Sequence, residues 1–289
     1  MNLDSDRVAA EPGQLEHLAI DLPAGTVTVR EVGDVWQSEQ TFDLDDPRAF
    51  EAISIAWLRC AWDVKHQWSY SWFGRPIIQL PEDMFRVQEL VWRLRPDVIL
   101  ETGVAHGGSL VFYASLCKAL GHGRVIGVEL PRSPDLDHRD AIMQHPLADY
   151  ITLIHGDSIA ADVVDRVYDD IGVPRIGAQP HAPPTVLLLL DSDHSRSHVI
   201  SELVAYGPLV TPGSYAIVQD GFIQSLVART HGPRANPDWA TNNALVGARA
   251  FVAANADDWA IGPPDPPFDE GVAPHSATHF TGGWLRRLR

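Results

Sequence analysis

The sequence predicts an α/β fold in which a mostly parallel sheet is covered by helices. From Val98 onward, short apolar runs alternate with segments of helical periodicity, a pattern typical of parallel strands joined by crossover helices. One run, TVLLLL at Thr185 to Leu190, has no polar alternation, as expected of a central strand buried on both faces. A glycine-rich turn follows the first of these runs, and such turns bind ligands in open α/β sheets.

Five strands and four helices are predicted for this region. The strands are Val98 to Glu101, Arg124 to Glu129, Tyr150 to His155, Thr185 to Leu190 and Ser214 to Gln219. The helices are Gly108 to Leu120, Ser158 to Ile171, Ser195 to Tyr206 and about Trp239 to Ala256, followed by a closing segment from Thr278 to Leu288. Gly121 stands where a C-cap glycine belongs, and Ser158 and Ser195 are suited to N-capping. Four prolines between Ile171 and Thr185 predict a loop.

The first 80 residues have a different pattern and predict an N-terminal helical or irregular cap, with the main domain at residues 81–289. Gly25 to Val32 alternates as a strand does, and Pro47 to Trp62 has the apolar spacing of a helix. The aromatic segment WSYSWFGRPIIQLPEDM follows without a clean period. Two interpretations stay open for it: a lid or substrate wall whose rings stack on an acceptor, or a packing cap over the sheet edge.

Composition excludes several classes of function. The chain has 289 residues, of which 45% are hydrophobic, enough for one large domain or two small ones. Its 22 basic and 38 acidic residues give a net charge of −16, which argues against nucleic acid or an anionic membrane as the main partner. The two lysines, Lys65 and Lys118, do not lie in a P-loop motif, so the usual nucleoside triphosphatases are excluded.

The cysteine count and the hydropathy pattern predict a cytoplasmic protein. Cys60 and Cys117 are too few for a zinc cluster or a disulfide framework, which favours a reducing compartment. The amino terminus, MNLDSDRVAAEPG, is acidic and lacks the apolar region of a signal peptide. No stretch approaches the roughly 20 apolar residues of a membrane span.

The most informative stretch is VILETGVAHGGS, from Val98 to Ser109, which joins a strand to a helix through a glycine turn. Gly103 permits a sharp turn at the strand end, and Gly107 with Gly108 permits the backbone to approach a ligand at the helix start. Glu129 ends the next strand, where a ribose-binding carboxylate lies in nucleotide-binding folds. The spacing predicts a nucleoside ligand, and a turn packed for its own sake stays the alternative.

The chemistry of the turn favours S-adenosyl-L-methionine (SAM) over a nicotinamide dinucleotide. A dinucleotide turn has the pattern G-x-G-x-x-G, but the third position counted from Gly103 is Ala105. Glu101 would repel a pyrophosphate, whereas a carboxylate suits the ammonium group of SAM. Asp157 and Ser158 follow the third strand, where they either meet the exocyclic amine of adenine or simply cap a helix.

Two carboxylates and a histidine are predicted at the same edge of the sheet. Asp191 and Asp220 each follow a strand, so on neighbouring strands they would be close enough to share a divalent cation. Hard oxygen ligands favour Mg²⁺ over zinc. His194 suits a general base because the unperturbed pKa of histidine is near ~6.5. Two alternatives stay open for it: a helix-start histidine without a catalytic role, or a zinc pair with His198 at i, i+4.

The chain resembles the family that includes rhamnosyl O-methyltransferases and the so-called cephalosporin hydroxylases. Three blocks carry this resemblance: the run from Trp72 to Gly123, the segment DSDHSRSHVISELVAYGPLVTPGSYAIVQD and the closing GGWLRRL. The resemblance implies the fold of a class I SAM-dependent methyltransferase, a Rossmann-like, doubly wound, mostly parallel sheet. It also implies an O-methylation of a natural product, commonly assisted by Mg²⁺ and often directed to a deoxysugar, as in antibiotic biosynthesis.

The resemblance implies roles for single residues as well. The cofactor positions that it implies are Glu101, Gly103, Gly107, Ser109, Glu129, Asp157 and Ser158, the metal positions are Asp191 and Asp220, and the base is His194. Some family members have an acidic residue just before the second metal aspartate, where this chain has Gln219. An amide oxygen can still ligate a metal ion, although with lower affinity.

The leading hypothesis is therefore a SAM-dependent O-methyltransferase that acts on a small-molecule glycoside or another secondary metabolite. A nicotinamide-dependent oxidoreductase on a similar sheet is one alternative, and a SAM-binding accessory protein of a tailoring enzyme is another. The acceptor, the hydroxyl group that is methylated and the oligomeric state, a homo-oligomer included, stay open.

Overall fold

The computed structural model describes residues 14–32, 37–131, 138–172, 183–226, 237–266 and 277–289. The acidic amino terminus and most of the proline-rich loop, at 173–182, lie outside these residues. Among the described helices, none is both long enough and apolar enough to cross a membrane.

An antiparallel sheet and a helix form the N-terminal part. Strands β1 (Gln14–Asp21), β2 (Thr26–Val32) and β3 (Gln37–Asp43) pair in sequence order, and helix α1 (Pro47–Asp63) packs against them. A hairpin of β4 (Tyr70–Trp72) and β5 (Arg75–Ile77) then leads to α2 (Pro81–Leu94). The predicted strand and helix are confirmed. The prediction of a helical or irregular cap missed β1 and β3, because their sequences, such as QSEQTFD, are rich in polar residues.

Seven strands form the main sheet. They are β6 (Val98–Thr102), β7 (Arg124–Glu129), β8 (Ile151–His155), β9 (Val186–Leu190), β10 (Tyr215–Val218), β11 (Trp259–Ile261) and β12 (Trp284–Arg287). Their order is β11-β12-β10-β9-β6-β7-β8. The strands from β10 to β8 in this order are parallel, and β12 is antiparallel to both of its neighbours. The predicted mostly parallel sheet and its five predicted strands are confirmed.

Helices cover both faces of this sheet. They are α3 (Gly108–Leu120), α4 (Arg139–Met143), α5 (Ala161–Ile171), α6 (Arg196–Tyr206) and α7 (Ala244–Ala254), the last of which begins later than the predicted Trp239. In β9, Leu187 and Leu189 pack into the core under α2 and α3, whereas Leu188 and Leu190 pack under α5, α6 and α7. This two-sided burial explains why the strand lacks polar alternation.

Of the two predicted N-capping serines, Ser195 lies at the N-cap position and Ser158 does not. The Ser158 hydroxyl is buried and donates to Glu202 Oε1 (2.6 Å), so α5 begins only after Ala160. Ser195 does occupy the N-cap of α6, but its side chain makes no capping hydrogen bond. Instead, its amide donates to Asp193 Oδ1 (2.7 Å). At Ser158 the buried carboxylate of Glu202 thus accepts from the hydroxyl that was expected to cap a helix.

The strand order reverses between β6 and β9, which leaves a crevice at the carboxyl edge of the sheet. The loops after these two strands touch at Gly103, whose φ is +81°. A Cβ atom at Gly103 would lie 2.0 Å from the carbonyl oxygen of Asp191. Because backbone meets backbone here, only glycine fits, and the contact sets the distance between the glycine turn and the loop that begins with Asp191.

We expect Gly103→Ala to lower the free energy of unfolding by about 3 kcal/mol or more, because it adds both backbone strain and a clash with Asp191. Gly121→Ala is the matched control, since Gly121 also has a positive φ (+63°) but a Cβ atom there would have no heavy atom within 4 Å. The control should lose only about 1 kcal/mol. Urea unfolding measures both values, and equal losses would contradict the inferred contact.

Candidate functional site

Glu101 lies at the end of β6 with its side chain fully buried. Its Oε2 accepts a hydrogen bond from Ser109 Oγ (2.6 Å), and its Oε1 accepts one from Tyr113 OH (3.2 Å), both donors being on α3. Burial raises the pKa of Glu101 to about 8. The carboxyl group therefore keeps its proton at neutral pH unless a positive charge enters the crevice. The contact of Glu101 with the ammonium group of SAM stays a prediction. The contact of Ser109 with the cofactor also stays a prediction.

The same polar network extends to Gln219. Gln79 Nε2 lies 3.4 Å from Tyr113 OH and donates to Gln219 Oε1 at 3.3 Å, and both glutamine side chains are buried. Gln219 directly precedes Asp220 in the chain, and its amide oxygen accepts the hydrogen bond from Gln79. The metal role of Gln219 stays a prediction, and it would require this oxygen to have a second partner.

Glu129 organises the glycine turn. Its Oε2 accepts hydrogen bonds from the amides of Val104 (2.5 Å) and Ala105 (2.9 Å). Ala105 has a φ of +46°, an unfavourable value for a residue with a Cβ atom, and these bonds stabilise it. Glu129 lies at the end of β7 and is partly exposed. It already binds the turn, and its contact with a ribose stays a prediction.

The glycines at the start of α3 are close to the protein's own atoms. A Cβ atom at Gly107 would lie 2.4 Å from Ile142 Cδ1, and one at Gly108 would lie 2.1 Å from the carbonyl oxygen of Pro76. The β5 hairpin occupies the space that a side chain at Gly108 would need, so glycine is required there for packing, and the approach of a ligand to this backbone stays a prediction. Gly107, with a φ of +78°, is required for the turn itself.

Asp157 and Ser158 differ in their surroundings. Asp157 is exposed, and its Oδ1 accepts from the amide of Ile159 (3.1 Å). Ser158 and Ser192 both donate to Glu202 Oε1, at 2.6 and 2.7 Å. Buried Glu202 therefore connects the loop after β8 with the loop after β9. The adenine contacts predicted for Asp157 and Ser158 stay predictions.

His194 and His198 do not form a pair. His194 precedes α6, so the i, i+4 geometry of a helix does not apply to it. His198 Nε2 lies 3.0 Å from Ser158 Oγ and 3.4 Å from Glu202 Oε1, whereas His194 Nε2 lies 3.2 Å from Asp220 Oδ2. The alternative of zinc at this pair is wrong, because the two rings have different partners.

Asp191, His194 and Asp220 form a cluster at the carboxyl edge of β9 and β10. One ligand atom from each lies within 4.8 Å of the other two. His194 Nε2 is 3.9 Å from Asp191 Oδ1 and 3.2 Å from Asp220 Oδ2. Neighbouring parallel strands bring these three residues together, as the sequence predicted.

Negative charge is concentrated around this cluster. The pKa of Asp191 is raised well above its usual range, first by desolvation in the cleft and then by nearby carboxylates, those of Asp220, Glu101, Glu202 and Glu129. A cation in the cleft would offset this repulsion. Two carboxylates and an imidazole within reach of one point are also a donor set that fits a divalent cation.

The aromatic segment near residue 70 divides into two groups. Trp72 is a packing residue, since it contacts the Phe112 ring (5.1 Å) and donates to Ser115 Oγ (3.1 Å). Exposed Trp68 instead lies against Trp62 (5.4 Å), in a cluster of rings that reaches Phe222 beside the acidic cluster. Trp72 thus fits the packing interpretation, and the contact of Trp68 with an acceptor stays a prediction.

Sequence reasoning missed Asp83, Glu202 and His279. His279 Nδ1 lies 3.6 Å from Asp220 Oδ1, and burial lowers the pKa of His279. Buried Asp83 on α2 accepts from the amide of His279 (2.8 Å), and burial raises the pKa of Asp83 to about 7. An acid within an apolar helix face, as at Asp83 and Glu202, is the one signal that could have identified these residues.

A sequence model of the family described as Rhamnosyl O-methyltransferase/CmcI matches residues 64–288. The rhamnosyl O-methyltransferase of Mycobacterium leprae is 28% identical over 164 residues, which are 54% of this chain and 65% of the relative. That of Mycobacterium bovis BCG is 26% identical over 167 residues, which are 55% and 62%. The chain thus matches somewhat less than two thirds of the length of these curated relatives.

Two solved structures of CmcI are similar to the chain at a TM-score of 0.49 each. The structure without ligand is 23% identical, and the match covers 77% of both chains. The structure with Mg and SAM is 21% identical, and the match covers 77% of this chain and 78% of that one.

We expect Glu101→Gln to change how stability depends on pH. In the wild type, the unfolded chain loses the Glu101 proton near pH ~4.3, whereas the folded chain keeps it up to a pKa of about 8. Unfolding is therefore favoured as pH rises through this window, by at most about 1.4 kcal/mol per pH unit, and glutamine removes the effect.

Urea unfolding between pH 5 and pH 8 should show the variant gaining stability relative to the wild type as pH rises. Ser109→Ala retains the carboxyl group, so this control should keep the wild-type direction of the pH dependence. Parallel profiles for Glu101→Gln and the wild type would contradict the protonated state.

Proposed function

Because the chain belongs to the family described as Rhamnosyl O-methyltransferase/CmcI, we propose that it is a SAM-dependent O-methyltransferase acting on a small-molecule glycoside. The family membership confirms the resemblance drawn from the sequence and the α/β fold of a class I SAM-dependent methyltransferase. We further propose a hydroxyl of a deoxysugar, such as rhamnose, as the acceptor, which the names of the mycobacterial relatives support.

The observation that carries this proposal is the cluster of Asp191, His194 and Asp220 beside the glycine turn. The turn contacts the backbone of Asp191 at Gly103, which supports a donor bound at the turn with its methyl group next to the cluster. Methyl transfer needs this proximity more than any covalent step by the protein, since the acceptor oxygen displaces sulfur directly at the methyl carbon.

The charge of the crevice supports a cationic donor. Desolvation raises the pKa of Asp191 first, and the neighbouring carboxyl groups of Asp220, Glu101, Glu202 and Glu129 raise it further. A cation that entered the crevice would favour the ionised form of these groups, including Glu101, which is otherwise protonated at neutral pH. SAM carries a sulfonium and an ammonium group, which such a crevice attracts, whereas the pyrophosphate of a nicotinamide dinucleotide would be repelled.

His194 is suited to accept the proton of the acceptor hydroxyl. Its Nε2 atom lies 3.2 Å from Asp220 Oδ2 and 3.9 Å from Asp191 Oδ1, at the carboxyl edge of the sheet, where the acceptor is proposed to bind. Asp191 and Asp220 would also hold a Mg²⁺ ion. Bound there, the ion would supply positive charge that lowers the pKa of a nearby hydroxyl.

We expect His194→Ala to slow methyl transfer ~10²-fold or more while the affinity for SAM is unchanged, because the variant loses the base but not the glycine turn. His122→Ala is the matched control, since exposed His122 contacts Asp97 at the opposite edge of the sheet. The assay follows labelled methyl transfer from SAM to a panel of glycosides and their aglycones by mass spectrometry, with SAM and NAD titrations alongside.

Three results would contradict this proposal in different ways. Binding of NAD without binding of SAM would remove the methyltransferase proposal. Tight SAM binding without transfer to any glycoside would favour the accessory-protein alternative. Full activity of His194→Ala would remove only the role of the histidine.

We expect EDTA to abolish methyl transfer and Mg²⁺ to restore it. Asp220→Asn should raise the Mg²⁺ concentration needed for half-maximal rate, because it removes one of the two anionic ligands. Asp257→Asn is the control, since the side chain of Asp257 is 89% exposed and contacts Arg289, and Asp257 precedes β11, whereas Asp220 follows the parallel strand β10. Unchanged activity after chelation would leave Asp191 and Asp220 as acids without a metal role.

A further inference from the structure

Residues 278–283, here called the closing turn, form a wall behind the end of β10. The amide of Val218 donates to the carbonyl of Gly283 (2.8 Å). A Cβ atom at Gly221 would lie 2.1 Å from the carbonyl oxygen of Thr281. The chain on both sides of Asp220 is thus in direct contact with the closing turn.

Asp220 itself has an unfavourable backbone conformation and a confined side chain. Its φ is +59°, in the left-handed region, which is uncommon for a residue with a Cβ atom although aspartate visits it more readily than most. An imidazole lies beside each carboxylate oxygen, His194 Nε2 at 3.2 Å from Oδ2 and His279 Nδ1 at 3.6 Å from Oδ1. The two rings together restrict the plane of the carboxylate.

The ring and the backbone amide of His279 are both fixed by contacts with the protein core. Its ring is stacked on Phe222, with centroids 4.2 Å apart and planes 11° apart, and the residue is 5% exposed. Its amide donates to Asp83 Oδ2 (2.8 Å), and Thr278 Oγ1 donates to Asp83 Oδ1. Asp83 is buried on α2, so its carboxyl group anchors the closing turn to the main core.

We propose that His279 is a positioning residue for methyl transfer, which holds the Asp220 carboxylate with Oδ2 turned toward His194. The proposal rests on the proposed function, because it assigns His279 to the reaction of the same cluster. It also explains why a buried carboxyl group, Asp83, is used to fix the backbone of a turn that has no other part in the proposed chemistry.

Two substitutions separate positioning from packing. His279→Phe keeps a flat ring on Phe222 but removes the nitrogen that faces Asp220, whereas His279→Asn keeps a polar N–H group near the Nδ1 position and removes the ring. We expect kcat of the phenylalanine variant to fall about 10-fold or more, with SAM affinity and Tm near the wild type, and asparagine to restore part of the rate.

A double-mutant cycle with Asp220→Asn identifies the group through which His279 acts. If His279 works by holding Asp220, His279→Phe should have little further effect once the carboxylate is gone. A second readout needs no turnover: titration of the SAM-saturated protein with Mn²⁺ should show weaker binding to His279→Phe than to the wild type.

Several outcomes would overturn the proposal. Wild-type kcat in His279→Phe, additive effects in the cycle, or a loss of SAM affinity equal to the loss of kcat would each assign His279 to packing alone. If the wild type transfers no methyl group, the proposed function fails, and equal Mn²⁺ affinities of the wild type and His279→Phe would then overturn the positioning role separately.

Discussion

The contact between two backbones at the reversal of the strand order is the constraint on which the site depends. Gly103 and the carbonyl of Asp191 meet where the loops after β6 and β9 diverge, and no side chain fits between them. The glycine turn and the acidic cluster are therefore parts of one rigid edge.

A second consequence of this closeness is electrostatic. The loops bring several carboxyl groups into one desolvated region, which raises the pKa of Glu101 to about 8 and that of Asp191 well above its usual range. The folded chain therefore holds protons on carboxyl groups that would be ionised in water, and a cation in the cleft would release them.

The parts of the site that could be predicted from sequence are those governed by local pattern. Apolar runs identified the strands, and the rule that parallel strands end at one edge was enough to bring Asp191 and Asp220 together. Ser158 was misjudged because its burial against Glu202 is a tertiary contact, and tertiary contacts override capping preferences. Asp83 and His279 are 196 positions apart, and nothing in the local sequence of either one indicates the other.

The closing turn has a consequence for the order in which the protein is made. Chains leave the ribosome amino-terminal end first, so the glycine turn and its strands emerge well before residues 278–283. Until that late segment arrives and is captured by Asp83, Asp220 lacks its rear wall. In a chain that is still being made, the wall behind Asp220 is therefore the last part of the cluster's surroundings to form, and β12 pairs with β10 directly after it.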